Sequence, residues 1–201
     1  MSRRFPAEWE PCEAVWIAWP HNRDTWPGRF ESIPAAFARF VSTVAESTPV
    51  RLLAAGPLAD QAEQWCGAIA GVSLVDVPTN DCWVRDYGPT FVWDLPGEGN
   101  PPRLLAVDWQ FNAWGGKYHP YDRDAAAGAA IARAAGLPRL NAQLTLEGGA
   151  LETDGAGRLL VNPGCVLDPR RNPSLSREQA AERLHQYLGV DEIVWIDGGA
   201  H

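Results

Sequence analysis

An α/β fold is predicted by two observations: short β-branched runs alternate with amphipathic segments, and one order of elements occurs twice. Thr90–Leu140 and Glu147–Ile196 each read strand, turn, strand, long loop, helix, strand. Their period is roughly 50 residues, within the range of propeller-like repeats. The two copies share this plan with little residue identity. We therefore expect one repeat-built domain over residues 1–201, with an opening module before Thr90 and a lead-in arm over Met1–Pro11.

The individual elements follow from local patterns. Helices are predicted where apolar residues recur every three or four positions, and strands where β-branched runs lie between Gly, Pro, Asn and Asp. Gly136 can end the third helix, and Ser176 with Gln179 has the spacing of a capping box at the fourth. The predicted helices are Pro34–Glu46, Leu58–Ile69, Asp122–Ala135 and a segment after Ser176. The predicted strands are Ala14–Trp19, Arg51–Ala55, Ser73–Val77, Thr90–Trp93, Leu104–Val107, Ala150–Glu152, Leu159–Asn162 and Ile193–Ile196.

Composition excludes several classes of function. The 201 residues, 46% hydrophobic and 21% charged, suit one compact domain. No apolar run approaches the roughly 18 to 20 residues of a membrane helix, and Met1–Pro11 lacks a signal-peptide stretch, so we expect a soluble, cytoplasmic protein. A net charge of −8 disfavours nucleic acid and favours a small cation. The four cysteines are scattered with no C-x-x-C pair, which indicates reduced thiols rather than disulfides or zinc ligands.

The segment Thr79–Pro89 lies between two predicted strands, and two interpretations fit it. In the first, Asp86 accepts the two-pronged hydrogen bond of a guanidinium group and Trp83 faces its charge. In the second, the segment is structural: Asn80 and Asp81 form a turn, and Arg85 pairs with Asp86 at the surface.

Two further segments carry candidate site residues. In Leu146–Ala150, the glycines after Glu147 allow a ligand or another backbone to come close, although a plain β-turn is the alternative. Asp108–Tyr118 is an aromatic, glycine-rich loop of the kind that forms a flexible substrate wall. The alternative is that its two Trp rings only cap the edge of the core. Ten Trp residues exceed what a core of this size normally uses, so we expect some to line a pocket.

Together these segments resemble the agmatine deiminase family, also called the Porphyromonas-type peptidylarginine deiminase family, among the guanidine-modifying pentein-fold enzymes. The resemblance covers essentially the whole chain, in the family's order and at similar spacings. It rests on Pro6–Pro11 with Trp16–Pro20, Thr79–Pro89, Asp108–Tyr118, Leu146–Gly149 and Arg171–Pro173. It implies a pentein-type α/β propeller of five strand-strand-helix-strand modules, incomplete here, with about three modules in this chain.

The resemblance also implies an activity: hydrolysis of a guanidinium to a ureido group and ammonia, without metal or cofactor. Asp86 is similar to the carboxylate that grips the guanidinium, and Glu147 to the carboxylate that orients the catalytic histidine. Trp83, Asn112 and Trp114 are candidates for the substrate wall. The scheme is chemically coherent, because an amidine carbon needs a thiolate to attack it and an imidazole to protonate the departing ammonia.

The sequence departs from the family in one respect. The family's Gly-His-x-Asp segment, which holds the catalytic His, and its late nucleophilic Cys do not occur in these 201 residues. His201 falls a few residues too early, so we assign it no catalytic role. Cys66 reads as a buried apolar filler and Cys165 as structural, and Cys82 stands where the family usually has a small, non-nucleophilic residue. His21 and His119 remain candidate bases, although a His beside Pro is more often a surface residue. We therefore expect the amino-terminal part of the enzyme, inactive alone.

Three functional hypotheses remain open. The first is an agmatine deiminase-like hydrolase, whose substrate is a small guanidinium cation and whose product is N-carbamoylputrescine. The second is a bacterial-type peptidylarginine deiminase. The third is a non-catalytic cation-binding or assembly module. An incomplete propeller leaves sheet edges uncovered, so we also expect self-association into a homo-oligomer or a partner that supplies the missing modules.

Overall fold

The computed structural model describes residues 2–97, 99–196 and 198. In this part of the chain the longer helices are α1 (Ile33–Ala45), α2 (Pro57–Cys66), α3 (Asp122–Ala134) and α4 (Arg177–Leu188). The strands are β1 (Ser2–Arg4), β2 (Val15–Ala18), β3 (Val50–Leu53), β4 (Val72–Val75), β5 (Thr90–Leu95), β6 (Arg103–Gln110), β7 (Arg139–Thr145), β8 (Leu151–Thr153), β9 (Arg158–Val161) and β10 (Glu192–Trp195). Single helical turns cover Arg23–Thr25, Phe30–Ser32, Val84–Tyr87, Ala113–Gly116, Gly148–Ala150 and Pro163–Val166.

All four predicted helices and all eight predicted strands are present, with ends that differ by a few residues. The largest difference at a helix end is in α2, which stops at Cys66 instead of Ile69. The predicted lead-in arm contains the unpredicted strand β1, which pairs antiparallel with β5. None of the described helices combines the length and the apolar character needed to cross a bilayer.

The chain folds as two compact units. The repeat unit comprises residues 1–10, 85–119 and 128–201, and the opening unit comprises residues 11–84 and 120–127. The expectation of a single truncated domain of about three modules stays a prediction.

The repeat unit contains both predicted repeats, and they share one topology. In the first, β5 pairs antiparallel with β6, and β6 pairs parallel with β7 after helix α3. In the second, β8 pairs antiparallel with β9, and β9 pairs parallel with β10 after helix α4. The resulting sheets have the orders β1-β5-β6-β7 and β10-β9-β8. The predicted order of strand, strand, helix, strand is therefore confirmed in each repeat.

Helix α4 illustrates how the sequence produces this packing. Ser176 and Gln179 form the predicted capping box, which satisfies two backbone N–H groups at the helix start. Gly189 ends the helix in the left-handed conformation, with φ of 69°. Ala180, Leu184 and Leu188, which follow one another at the four-residue spacing of a single helix face, are fully buried in the core. The helix thus covers one apolar face of the repeat unit.

The opening unit is built on a parallel sheet of order β2-β3-β4, packed with α1 and α2. Cys66 on α2 is fully buried in this core, which confirms its prediction as an apolar filler. Trp19 is also buried, and its indole donates to Gln61 Oε1 at 2.8 Å. This aromatic residue therefore belongs to the core of its unit.

Candidate functional site

Asp86 lies in the helical turn Val84–Tyr87, just before strand β5. The next residue anchors the turn, because Tyr87 is buried and its ring meets Phe111 edge-on at 5.9 Å between centroids. The half-buried carboxylate of Asp86 lies beside the backbone N–H of Gly149 and the indole of Trp114, and both groups lower its pKa. Residues from three separate predicted motifs therefore meet at this carboxylate.

The glycine pair after Glu147 is required by a close approach to the Asp86 turn. A Cβ at Gly148 would overlap the carbonyl oxygen of Arg85, and a Cβ at Gly149 would overlap the carboxylate of Asp86. Gly148–Ala150 forms a single helical turn, so the alternative of a local turn describes the backbone shape of this segment. The sequence expectation that these glycines let another backbone come near is confirmed.

The Asp86 carboxylate lies in an electrostatically unfavourable place. Burial, and then the negative charge of Glu147, raise the pKa of Asp86 above its usual value. The N–H of Gly149, the charge of Arg85 and the indole of Trp114 lower the pKa and only partly offset this increase. The guanidinium of Arg85 forms its ion pairs with Glu8 and Glu152 instead. In the part of the chain that the structure describes, Asp86 has no ion-pair partner.

Glu147, by contrast, is held by a cation. Its side chain is almost fully buried, and Arg171 Nε donates to Oε1 at 2.7 Å and to Oε2 at 3.1 Å. Arg171 is itself buried, and its Nη1 donates to Asp168 Oδ2 at 3.2 Å. The predicted role of Glu147, orienting a catalytic histidine, stays a prediction. Sequence reasoning quoted Arg171 as part of a motif but gave it no function, although a buried carboxylate is a signal that a cation must lie nearby.

The residues around Arg171 fix its position. The Asn172 amide donates to the carbonyl oxygens of Thr145 and Val166, both at 2.8 Å, and its Oδ1 accepts the N–H of Thr145 at 3.0 Å. Arg170 pairs with Asp168 at 2.7 Å and holds the pKa of that carboxyl at about 2. The Arg171–Pro173 motif is thus anchored to the end of β7 with Arg171 facing Glu147.

The predicted substrate wall contains a strained turn. Ala113 and Trp114 have φ of 53° and 57°, the left-handed region, in which a side chain costs about 1–2 kcal/mol per residue. Asn112 stabilises the turn, because its Oδ1 accepts the N–H of Gly115 at 2.9 Å while its Nδ2 donates to Arg170 O at 2.9 Å. The turn places the Trp114 indole on Asp86. Backbone strain is thus accepted where it positions a side chain at the candidate site.

Trp109 and Trp114 have different surroundings, and Trp109 lies on strand β6 rather than in the predicted loop. Trp109 is buried, its indole donates to Thr90 Oγ1 at 2.8 Å, and its ring packs against Tyr187, so it belongs to the core. Trp114 packs edge-on between Phe111 and Tyr118, with ring centroids 5.4 and 5.7 Å away. The alternative that a Trp ring packs on the core therefore describes Trp109. The substrate contacts of Asn112 and Trp114 stay predictions.

The sequence model of the family described as Porphyromonas-type peptidyl-arginine deiminase matches residues 4–201. The chain belongs to this family. It is 40% identical over 201 residues to a Vibrio parahaemolyticus protein described as "Putative agmatine deiminase", with 97% of this chain and 53% of that protein covered. A Shewanella baltica protein with the same description is 38% identical, with 98% of this chain and 52% of that protein covered.

Solved structures show the same relationship. The agmatine deiminase of Enterococcus faecalis superposes with a TM-score of 0.87 and 32% identity, covering 98% of this chain and 54% of that chain. A C. jejuni agmatine deiminase with substrate bound gives a TM-score of 0.83 and 28% identity, covering 98% and 57%. The predicted pentein-type α/β fold is thus confirmed, and the chain spans about half the length of these relatives.

Family membership draws attention to the thiols, since a thiolate is the expected nucleophile. Burial, together with the charges of Asp81 and Asp124, raises the pKa of Cys82 to about 12. Burial also raises the pKa of Cys66, and burial with the charge of Glu147 raises that of Cys165. A thiol with a raised pKa is a poor nucleophile at neutral pH. His201, to which the sequence analysis assigns no catalytic role, lies outside the described residues.

The first half of Thr79–Pro89 has a structural function in the opening unit. Asn80 Oδ1 accepts the N–H groups of Arg123 and Asp124 at 2.8 and 3.1 Å, which caps helix α3. The buried Asp124 carboxylate in return accepts the N–H groups of Asn80 and Asp81, at 2.7 and 3.3 Å. Burial raises the pKa of Asp124 to about 6. The structural interpretation thus describes this half, although the asparagine caps a distant helix rather than only forming a turn.

Trp83 also lies in the opening unit and is 45% exposed. Its place on a substrate wall stays a prediction. Within residues 2–97, 99–196 and 198, no three His, Cys, Asp or Glu side chains are grouped so that they could hold a metal ion.

Proposed function

We propose that this chain forms part of an amidine hydrolase in which Asp86 holds the guanidinium group of the substrate. The observation that carries the proposal is the environment of Asp86. Its half-buried carboxylate has a raised pKa, faces the charge of Glu147 and has no ion-pair partner among the described residues. An incoming cation would relieve this unfavourable charge.

A planar guanidinium fits this site better than a simple ammonium ion. The Gly149 N–H and the Trp114 indole beside Asp86 are neutral groups that favour its ionised form. A carboxylate in these surroundings can accept the parallel N–H bonds of a guanidinium, which are stronger than neutral hydrogen bonds. The charge of the whole chain, −8, favours the approach of a cation.

The proposed reaction proceeds in two steps. A Cys thiolate attacks the guanidinium carbon, the bond from that carbon to one terminal nitrogen breaks, and the nitrogen leaves as ammonia after protonation by an imidazole. Water then attacks the same carbon, so that the carbon–sulfur bond breaks and a ureido group forms. Glu147 would orient the imidazole. We place the reactive Cys outside residues 1–201, because the family's late nucleophilic Cys does not occur in them; the raised pKa of Cys66, Cys82 and Cys165 supports this.

We propose agmatine as the substrate and N-carbamoylputrescine and ammonia as the products. The support is that two of the similar solved structures are described as agmatine deiminases. The enzyme would then be cytoplasmic and contribute to putrescine synthesis. The family description favours peptidylarginine as a second candidate. A protein of full family length that contains this chain distinguishes the two candidates. If it forms citrulline in a protein substrate and does not turn over agmatine, peptidylarginine is favoured.

Calorimetric titration of the 201-residue chain tests the binding site. We expect agmatine to bind more tightly than putrescine, which has no guanidinium, and Asp86→Asn to weaken agmatine binding by about 10- to 100-fold. Asp60→Asn, at an exposed position on α2, is the matched control and should leave the affinity unchanged. Equal agmatine affinity in Asp86→Asn and the unsubstituted chain would refute the assignment of Asp86.

A turnover assay on the same chain tests the location of the nucleophile. We expect neither ammonia nor N-carbamoylputrescine from agmatine. Product formation that disappears in Cys82→Ala would show that the nucleophile lies inside these 201 residues. If the chain binds agmatine but a protein of full family length also fails to release ammonia, the non-catalytic cation-binding hypothesis gains instead.

A further inference from the structure

Two neighbouring carboxylates at the site differ in one respect: Glu147 has a cationic partner and Asp86 has none among the described residues. A substrate guanidinium could pair with either carboxylate. We propose that Arg171 is a specificity-determining residue: it occupies Glu147 with an internal guanidinium and thereby directs the guanidinium of the substrate to Asp86. This inference rests on the proposed function, because it concerns the same binding site.

The geometry of the Arg171–Glu147 pair supports this role. Arg171 Nε contacts both oxygens of Glu147, at 2.7 and 3.1 Å, so neither oxygen faces the site without a donor. The side chains of Arg171 and Glu147 are 8% and 4% exposed, so solvent screens their attraction little. A guanidinium from solution would have to displace this internal one to reach Glu147. At Asp86 it would displace no cation.

Contacts other than the one with Glu147 also fix the position of Arg171. Its Nη1 donates to Asp168 at 3.2 Å, and the adjacent Asn172 is fixed to the backbone of Thr145 and Val166. The neighbouring Arg170 pairs with Asp168 at 2.7 Å, but it forms no ion pair with Glu147 in the described structure, and its side chain is 62% exposed. Arg170 is therefore a matched control, since it has the same side chain and shares one partner without touching Glu147.

A cavity of about 390 Å³ borders Arg171 and is lined also by Gln110, Thr145, Ser174 and Gln179. This volume exceeds what one small guanidinium needs. If Arg171 were shortened to Ala, ethylguanidinium could therefore reach the vacated position beside Glu147 from this cavity. Such a probe can replace the missing group without a covalent link.

The test measures agmatine binding by calorimetry in the 201-residue chain and in D86N, R171Q and the double variant D86N/R171Q. We expect D86N to lose about 10- to 100-fold in affinity and D86N/R171Q to recover most of that loss, because Glu147 is then free to accept the substrate. D86N/R170Q should bind as weakly as D86N. A purely structural role of Arg171 predicts no such gain, so a folded D86N/R171Q that binds no better than D86N would overturn the proposal.

The outcomes separate the two proposals. If D86N loses affinity and D86N/R171Q does not regain it, the role of Asp86 stands and that of Arg171 is overturned. If agmatine binds R171Q but not the unsubstituted chain, Arg171 only blocks Glu147 and directs nothing to Asp86, so both roles are refuted. If agmatine binds neither, both are refuted. If R171Q does not fold, the thermal unfolding of R171A and R170A is measured with and without ethylguanidinium. A midpoint that the probe raises in R171A and not in R170A supports the proposal. The same response in both variants overturns it.

Discussion

The backbone of Gly149 approaches the carboxylate of Asp86 so closely that a Cβ at position 149 would overlap that carboxylate, and the Gly149 N–H lowers the pKa of Asp86. This relationship joins two motifs that lie far apart in the sequence. It also explains the second glycine, because any side chain at position 149 would push the two segments apart. The arrangement of the candidate site thus depends on a missing methyl group as much as on a charged side chain.

Gly149→Ala should therefore impair binding and stability together. We expect agmatine affinity to fall by at least about 10-fold and the free energy of unfolding to fall by about 1–3 kcal/mol, the usual cost of forcing extra atoms into a packed site. Calorimetry and urea denaturation measure the two effects. Gly28→Ala is the control: φ at Gly28 is +70° and the surrounding space is open, so it should cost about 1 kcal/mol from the backbone alone and leave binding intact. Unchanged agmatine affinity in Gly149→Ala would contradict the close contact.

Cys82 should be an unreactive thiol in the folded protein. Its pKa is raised to about 12, so only a minute fraction is thiolate at pH 8. We expect iodoacetamide to label the exposed Cys12 far faster than Cys82 in the native chain, and both at similar rates in urea. Peptide mapping by mass spectrometry measures both rates. Rapid native labelling of Cys82 would argue that this thiol is activated and would reopen its candidacy as the nucleophile.

Much of this fold is predictable from local patterns. The apolar stripe of α4 and its capping box, for example, depend only on residues that are close together in the sequence. The glycines after Glu147 likewise indicate a close approach, although they do not say to what. Strand β1 escapes prediction because its formation depends on the free edge of β5 rather than on its own residues.

The features of the site that escape prediction depend on long-range contacts. Nothing in the residue types Ala113 and Trp114 favours a left-handed turn, since L side chains disfavour that conformation and only the surrounding contacts enforce it. The partner of Glu147 is similarly hidden, because a buried carboxylate requires a cation but its sequence does not specify which one. Arg171 is identified only when the loop after the helical turn Pro163–Val166 is folded back onto the end of β7.

Asp124 should make stability depend on pH. Its folded pKa of about 6 lies above the ordinary value of 3.8, so the folded state holds a proton that the unfolded chain has released. The stability linked to this proton is fully present below about pH 3.8 and is lost as the pH rises through about 6. Each pH unit between the two pKa values is worth about 1.36 kcal/mol. The unfolding free energy of the unsubstituted chain, minus that of Asp124→Asn, should therefore fall by roughly 3 kcal/mol over this range. Urea denaturation at several pH values measures it, and a constant difference would contradict the raised pKa.

Agmatine binding should weaken as the pH falls, because only the ionised Asp86 carboxylate can pair with a guanidinium. The pKa of Asp86 is raised, first by burial and then by Glu147, so this loss should begin at a higher pH than for an ordinary Asp. The guanidinium of agmatine stays charged throughout, which leaves the carboxylate as the titrating partner. Trp114→Phe removes a donor that favours the ionised form, so the pKa should rise further and the loss should start at still higher pH. Calorimetric titrations between about pH 4 and pH 8 measure both curves, with Trp9→Phe, at a 76% exposed position, as the control that should follow the unsubstituted chain. If agmatine affinity stayed constant across that range, a group other than Asp86 would have to hold the guanidinium.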